Sequence, residues 1–137
     1  DSNRAPSSQA SLIGITIDGG GAVITTGVKG YLRIPRACTI TAAHLLSTDA
    51  SGPTTGSIVM DVWRTTYDLY PPTVDDSIVG DLPPQIFSGI KGAFPQVTDL
   101  AGGFVGWRPD IAAGDILGFN VDSVSAFLRV TLMLTVM

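Results

Sequence analysis

The feature that most constrains the fold is the absence of glutamate. All twelve acidic residues of this 137-residue chain are aspartate, and lysine occurs only twice, at Lys29 and Lys91. Glutamate and lysine normally fill the solvent-facing positions of helices, whereas the valine, isoleucine, threonine and glycine that are frequent here favour strands and turns. The composition therefore predicts an all-β fold.

Length and charge narrow the class of protein further. A chain of 137 residues fits one domain with a core of its own. Mean hydropathy is high, at +0.35, yet no apolar run reaches the ~20 residues of a membrane-spanning helix, so we expect no membrane insertion. The net charge of −4 does not suit binding to a phosphate backbone, so we expect no nucleic-acid partner. The apolar excess must lie in a core or in subunit contacts.

The ends of the chain and its single cysteine bear on location. Residues 1–10 are polar and contain proline and serine, which predicts a linker or flexible arm ahead of one domain over residues 11–137. Cys38 has no second cysteine to pair with, and the ends carry no signal-peptide or lipidation pattern. We therefore expect assembly in a reducing cytoplasm.

Period-two alternation of apolar residues predicts the strands. In the second of them Tyr31 and Arg33 face outward, and the fourth is apolar on both faces and is expected to be central. A bulge is expected near Ala42-Ala43. The predicted strands cover residues 11–17, 28–34, 38–46, 56–64, 104–107, 115–121 and 127–136. Short strands separated by turn signals predict a two-sheet antiparallel sandwich, with a jelly-roll as the expected topology.

Two surfaces attract attention. The proline-rich stretch from Thr65 to Phe94 predicts a long excursion across one end of the domain, and long ordered loops are usually functional. Its Tyr67 and Tyr70 offer ring faces that could stack on sugars or anchor an interface. The outward face of the last strand is more apolar than an isolated monomer tolerates, which predicts a subunit contact through Phe127, Arg129, Thr131 and Met133.

Catalytic chemistry has few residues to draw on. His44 is the only imidazole, and Cys38 lies about 20 Å away along a straight strand at ~3.3 Å per residue. We predict a structural role for His44, an inert buried thiol at Cys38, and no catalytic residue, cofactor or metal. Two alternatives stay open, namely a glycosidase with paired aspartates and a calcium site. The calcium ligands would be Asp68, Asp75, Asp76 and Asp81.

Three runs of the sequence carry a resemblance. They are IDGGGAVITTGVKGYLRIPRACTITAAHLLS, GSIVMDVWRTTYDLYPPTVDDSI, and IAAGDILGFNVDSV with its following VTLMLTV. They resemble a domain of structural proteins from tailed bacteriophages and prophages, described as tail, tail-fibre or virion-associated proteins. The similarity spans residues 15–136, and none of the runs is a catalytic signature. The resemblance implies a β-sandwich located in the virion, commonly a homotrimer, whose N-terminal segment contacts other virion proteins.

The resemblance leads to a first hypothesis, which is a non-enzymatic fibre or spike tip that binds a host-surface glycan. Tyrosine rings would stack on the sugar, and carboxylates would accept hydrogen bonds from its hydroxyl groups. The ligand-binding residues would be Tyr67, Asp68, Tyr70, Asp75 and Asp76. One alternative is a capsid or tail decoration protein with a purely architectural role. Another is a carbohydrate-binding module of a larger enzyme.

Overall fold

The computed structural model describes residues 10–50, 56–80, 82–94 and 107–137. Its secondary structure is almost entirely β, with 3₁₀ turns at Tyr67–Leu69 and Val74–Asp76. The strands are β1 (Ser11–Asp18), β2 (Gly27–Arg33), β3 (Cys38–Ala50), β4 (Gly56–Thr65), β5 (Gln85–Gly89), β6 (Lys91–Phe94), β7 (Asp110–Ile111), β8 (Ile116–Ser125) and β9 (Phe127–Val136). The all-β prediction is confirmed. Within the described ranges no helix is long and apolar enough to cross a membrane.

The strands form two antiparallel sheets. Sheet A has the order β1-β9-β3-β6, and the short strand β7 pairs with β3. Sheet B has the order β2-β8-β4-β5. The predicted two-sheet antiparallel sandwich is confirmed, and the jelly-roll topology is taken up below as a proposal.

The core lies between the sheets and follows the period-two alternation. In β4, Ile58, Met60 and Val62 are fully buried, and the intervening Asp61 and Trp63 are buried on the other face of the strand. This confirms the prediction of a central strand that is covered on both faces. The remaining inward positions are supplied chiefly by β8 and β9, with Leu117, Phe119, Val121, Val130, Leu132, Leu134 and Val136.

The strand boundaries differ from the sequence-based prediction at several points, and β8 runs on to Ser125, past the predicted end at residue 121. Strand β3 runs on to Ala50, past the predicted end at residue 46. The register between β3 and β9 shifts between Ile40 and Ala42, which confirms the expected bulge. The predicted excursion contains two strands that were not predicted, β5 and β6. They were missed because a five-residue and a four-residue strand are too short to show a clear alternation. The linker at residues 1–9 and most of the predicted strand 104–107 lie outside the described residues.

Phe127 corrects the predicted outward stripe of the last strand. Asp49 pairs with Arg129 and Ala50 pairs with Phe127, so β9 carries one extra residue at this point. Such a bulge moves the following side chain to the other face, and Phe127 is fully buried. Its ring lies against Gly56, where a Cβ atom would come within 2.8 Å of Cε1. Phe127 is therefore a core residue, not an interface residue.

Candidate functional site

The excursion folds back over the outer face of sheet B, and buried polar contacts hold it there. The Asp61 carboxylate accepts hydrogen bonds from Trp63 Nε1 at 2.9 Å and from Ser77 Oγ at 2.6 Å. The Ile78 N–H donates to the Val62 carbonyl at 2.9 Å. Since Asp61 and Trp63 are both buried, these contacts fix the loop to β4 and give it a rigid base.

A second contact joins the loop to β8 and β2. Pro72 is buried against Gly118, where a Cβ atom would lie 3.0 Å from Pro72 Cγ and 3.2 Å from the Tyr31 ring. The Tyr31 and Tyr70 rings meet edge to face, with their centroids 5.0 Å apart and their planes at 77°. The missing side chain at Gly118 therefore lets the loop bring Tyr70 up to a tyrosine of the sheet.

Two adjoining clefts open where the loop meets β2 and β8. The first, which we call the tyrosine cleft, has a volume of about 410 Å³ and is lined by Tyr31, Leu32, Arg33, Tyr67, Tyr70 and Ile116. The second, which we call the aspartate cleft, has a volume of about 640 Å³ and is lined by Arg33, Thr66, Tyr67, Asp68, Ala112, Ala113, Gly114 and Asp115. Arg33 and Tyr67 belong to both, so the clefts form one continuous depression.

The charged groups of the clefts differ in whether they have a partner within the protein. Asp115 is buried and accepts a hydrogen bond from the Ala112 N–H at 2.9 Å, and its carboxylate lies 3.7 Å from the Arg64 guanidinium. Its charge is therefore already balanced. Arg33 and Asp68 are exposed and have no ion-pair or hydrogen-bond partner among the described residues. A cation and an acceptor are thus both available to a ligand.

The clefts contain three of the five residues predicted to bind a ligand. Tyr67, Asp68 and Tyr70 line them. Asp75 and Asp76 lie in the second 3₁₀ turn and line neither cleft. The Asp76 carboxylate accepts the Thr73 N–H at 2.8 Å, and Thr73 Oγ1 accepts the Asp75 N–H at 3.3 Å, which forms a capping box. The Asp76 carboxylate and the Asp75 N–H shape the loop, and neither aspartate lines a cleft together with the tyrosines.

Sequence reasoning missed Tyr31, Arg33 and the turn before β8 as parts of this site. The alternation of β2 did predict that Tyr31 and Arg33 face outward, and both are exposed. What the sequence did not show is that β2 pairs with β8, which carries them to the excursion. The sequence does not show which strands that are distant in the chain pair with each other in a sheet.

The residues considered for catalysis and metal binding are placed apart. Cys38 is buried, and that burial raises the pKa of its thiol because the thiolate loses its hydration. His44 is exposed on the outer face of sheet A, away from Cys38. Among the described residues no three His, Cys or Asp side chains cluster as metal ligands would, and Asp81 of the calcium alternative lies outside those residues.

The outer face of sheet A forms a second surface. Leu12 and Leu46 are 66% and 49% exposed, and Met133 between them is half-buried. Thr131 Oγ1 bonds Thr16 Oγ1 at 2.9 Å, and the Arg129 guanidinium pairs with Asp18 at 3.0 Å near the rim. Arg129, Thr131 and Met133 therefore lie on the outer face, as predicted, although their contact with another subunit stays a prediction.

Comparison with known proteins gives no relative: a scan of family models found no match, and neither a curated protein nor a solved structure matches the chain significantly.

Proposed function

We propose that the chain is a non-enzymatic virion module of the tailed-phage type, a fibre or spike tip that binds a host-surface glycan in the two clefts. The observation that carries the proposal is the convergence of Tyr31, Tyr67 and Tyr70 around one cleft beside two unpartnered charges. Flat aromatic faces next to hydrogen-bonding groups suit sugar rings, which present both C–H faces and hydroxyl groups.

The exposure of the tyrosines supports a ligand in the clefts. Tyr67 and Tyr70 are 67% and 51% exposed, although each is held on a loop that is fixed to sheet B. Rigid, exposed aromatic side chains lose little conformational entropy on binding. The cleft volumes also lie within the ~300 to 1,000 Å³ of typical ligand sites. A loop that served only as a connection would not need to expose two such rings.

The strand order supports a jelly-roll topology, which we include in the proposal. The first and last long strands, β1 and β9, are neighbours in sheet A, and β2 and β8 are neighbours in sheet B. The chain therefore runs back alongside itself from its two ends, as a folded-over hairpin does. Jelly-rolls of two four-stranded sheets recur in viral capsid and lectin domains, which agrees with a virion protein that binds sugars.

Assembly as a homotrimer is part of the same proposal. The outer face of sheet A, with Leu12, Leu46 and Met133, would supply the subunit contact, and the residues at 1–10 would join the module to other virion proteins. This face also favours the second candidate function, a decoration protein with a purely architectural role, because apolar packing alone would explain it. Sugar binding by the isolated protein distinguishes the two.

A glycan array probed with the purified protein and with Tyr70→Ala tests the proposal. Loss of an aromatic anchor typically costs about 1 to 3 kcal/mol of binding, so we expect the affinity for any bound glycan to fall about tenfold or more. Leu69→Ala is the matched control, because Leu69 is 70% exposed in the same turn and lines neither cleft.

Three results would contradict the proposal. An array that stays blank with folded protein favours the architectural role. A Tyr70→Ala variant with a lower melting temperature and unchanged glycan affinity would make Tyr70 a packing residue against Tyr31. Hydrolysis of a polysaccharide by the wild type that His44→Ala abolishes would contradict the absence of catalysis and favour an enzyme module.

A further inference from the structure

We infer that the tyrosine cleft takes a sugar that carries a carboxylate, held by the guanidinium of Arg33. The inference rests on the proposed glycan binding and specifies its ligand class. It begins from the other arginines of the described residues, each of which has a partner. Arg36 donates to Ser11 Oγ, Arg64 to the Asp110 carbonyl, Arg108 to the Ser77 carbonyl, and Arg129 to Asp18. Arg33 alone in this part of the chain has none.

The position of Arg33 makes its free guanidinium suitable for a ligand. Arg33 pairs with Ile116 in the register of β2 and β8, so its backbone belongs to the rigid sheet. Its Nη2 atom lies close to the Gly114 backbone, 3.4 Å from where a Cβ atom would stand. Gly114 has a φ of +89°, a conformation that disfavours larger residues. The turn before β8 therefore leaves room for the guanidinium at the cleft wall.

The composition of the tyrosine cleft selects an anionic ligand. Arg33 is the charged member of its lining, and the other members are tyrosines and aliphatic residues. One guanidinium balances one negative charge, and its planar fork matches the two oxygens of a carboxylate. The rings of Tyr67 and Tyr70 beside it would stack on the sugar that bears this group and would limit the access of water.

The aspartate cleft fixes the direction of the ligand. Asp68 is unpartnered and would repel a carboxylate, but it can accept hydrogen bonds from the hydroxyl groups of a neutral sugar. Asp115 is already balanced by Arg64. The acidic ring therefore belongs in the tyrosine cleft, and an adjoining neutral ring belongs in the aspartate cleft. The expected ligand is an oligosaccharide in which an acidic and a neutral sugar are adjacent.

The test uses the full chain and defined probes: hyaluronan oligosaccharides, oligogalacturonate and sialyllactose, each compared with its carboxyl-reduced form by calorimetry or on an array. We expect the wild type to bind at least one carboxylate form about tenfold or more tightly than its reduced partner. Arg33→Gln should abolish that preference without lowering the melting temperature. Lys91→Gln is the control, because it removes the same charge from the exposed Lys91 of sheet A.

The outcomes separate this inference from the proposal on which it rests. If neutral glycans bind, Tyr70→Ala weakens them and Arg33→Gln does not, the glycan function stands and the acidic ligand is wrong. If sulfated oligosaccharides bind as tightly as the carboxylates, the selectivity for carboxylate is wrong. If Lys91→Gln lowers affinity as much as Arg33→Gln, the effect is one of net charge and the assigned site is wrong. If nothing binds, both fail.

Discussion

The outer faces of the two sheets differ although the strands behind them follow the same alternation. On sheet B, the chain's own loop covers the outward Asp61 and Trp63 of the central strand β4, while Phe87 on the edge strand β5 stays 87% exposed. On sheet A, the outward side chains Leu12, Leu46 and Met133 have no comparable cover from the described residues.

The two outer faces differ in what covers, or could cover, their apolar side chains. Sheet B uses a buried carboxylate whose oxygens accept hydrogen bonds from Trp63 and Ser77, so the loop is attached by directional contacts. The outer face of sheet A carries apolar and small polar side chains, with the exposed Lys91 opposite Leu46 and one ion pair near its rim. A directional network specifies one loop conformation, whereas an apolar face gains most from a second protein surface.

The largest expected effect is on the covered face. Trp63→Ala should lower the free energy of unfolding by about 3 to 5 kcal/mol, because it leaves a large cavity and removes a hydrogen-bond partner of the buried Asp61. Leu46→Ala on the bare face should cost less than about 1 kcal/mol at protein concentrations that give monomer. Urea denaturation followed by circular dichroism measures both, and equal costs would remove the distinction between the faces.

A charge on the bare face tests whether a second copy covers it. Met133→Asp should dissociate the proposed homotrimer and leave the strand content intact, because a carboxylate cannot enter an apolar contact unpaired. Phe87→Asp is the matched control, since Phe87 is 87% exposed on edge strand β5 of the other sheet. Light scattering gives the mass. A monomeric wild type at micromolar concentration, or dissociation by Phe87→Asp alone, would contradict assembly through sheet A.

The alternation of apolar residues along a single strand was sufficient to predict the long, regular strands. The alternation from Leu128 to Val136 predicted the strand, and from Val130 onward it also predicted the buried side, whereas Leu128 is only half-buried. It failed at Phe127, because a bulge depends on the pairing with β3 and not on the sequence of β9 alone. The short strands β5 and β6 were missed because too few residues define their alternation.

The candidate site was half predictable for the same reason. Tyr67, Asp68 and Tyr70 share one turn, so their proximity follows from the sequence. Tyr31 and Arg33 lie more than thirty residues earlier and meet them only because β2 pairs with β8, against which Pro72 packs. Sheet order is a property of the whole chain. Residues that a sheet brings together from separate strands are therefore the part of a site that sequence reasoning finds last.

The smallest expected effect compares one aspartate from each sheet. On sheet A, the N–H of Gly20 and then the Arg129 guanidinium lower the pKa of Asp18. On sheet B, partial burial raises the pKa of Asp122 above its ordinary value of 3.8, and the nearby Asp61 charge adds to the rise against a hydrogen bond from Asn120. Asp18 therefore stabilises the fold above pH 3.8 and loses that contribution as the pH falls through its lowered pKa.

Asp122 acts in the opposite direction. Its folded-state pKa lies above the unfolded value, so the folded state holds the proton more tightly. Stability therefore declines as the pH rises from 3.8 through the raised folded-state pKa. Asp122→Asn keeps an acceptor for Asn120 and removes the charge, so it should raise stability slightly at pH 7. Well below pH 3.8 the advantage should vanish, because the wild-type carboxyl is then largely neutral in both states. Urea midpoints at pH 7 and near pH 3 measure this, and a gain that persists at the lower pH would show that charge is not its cause.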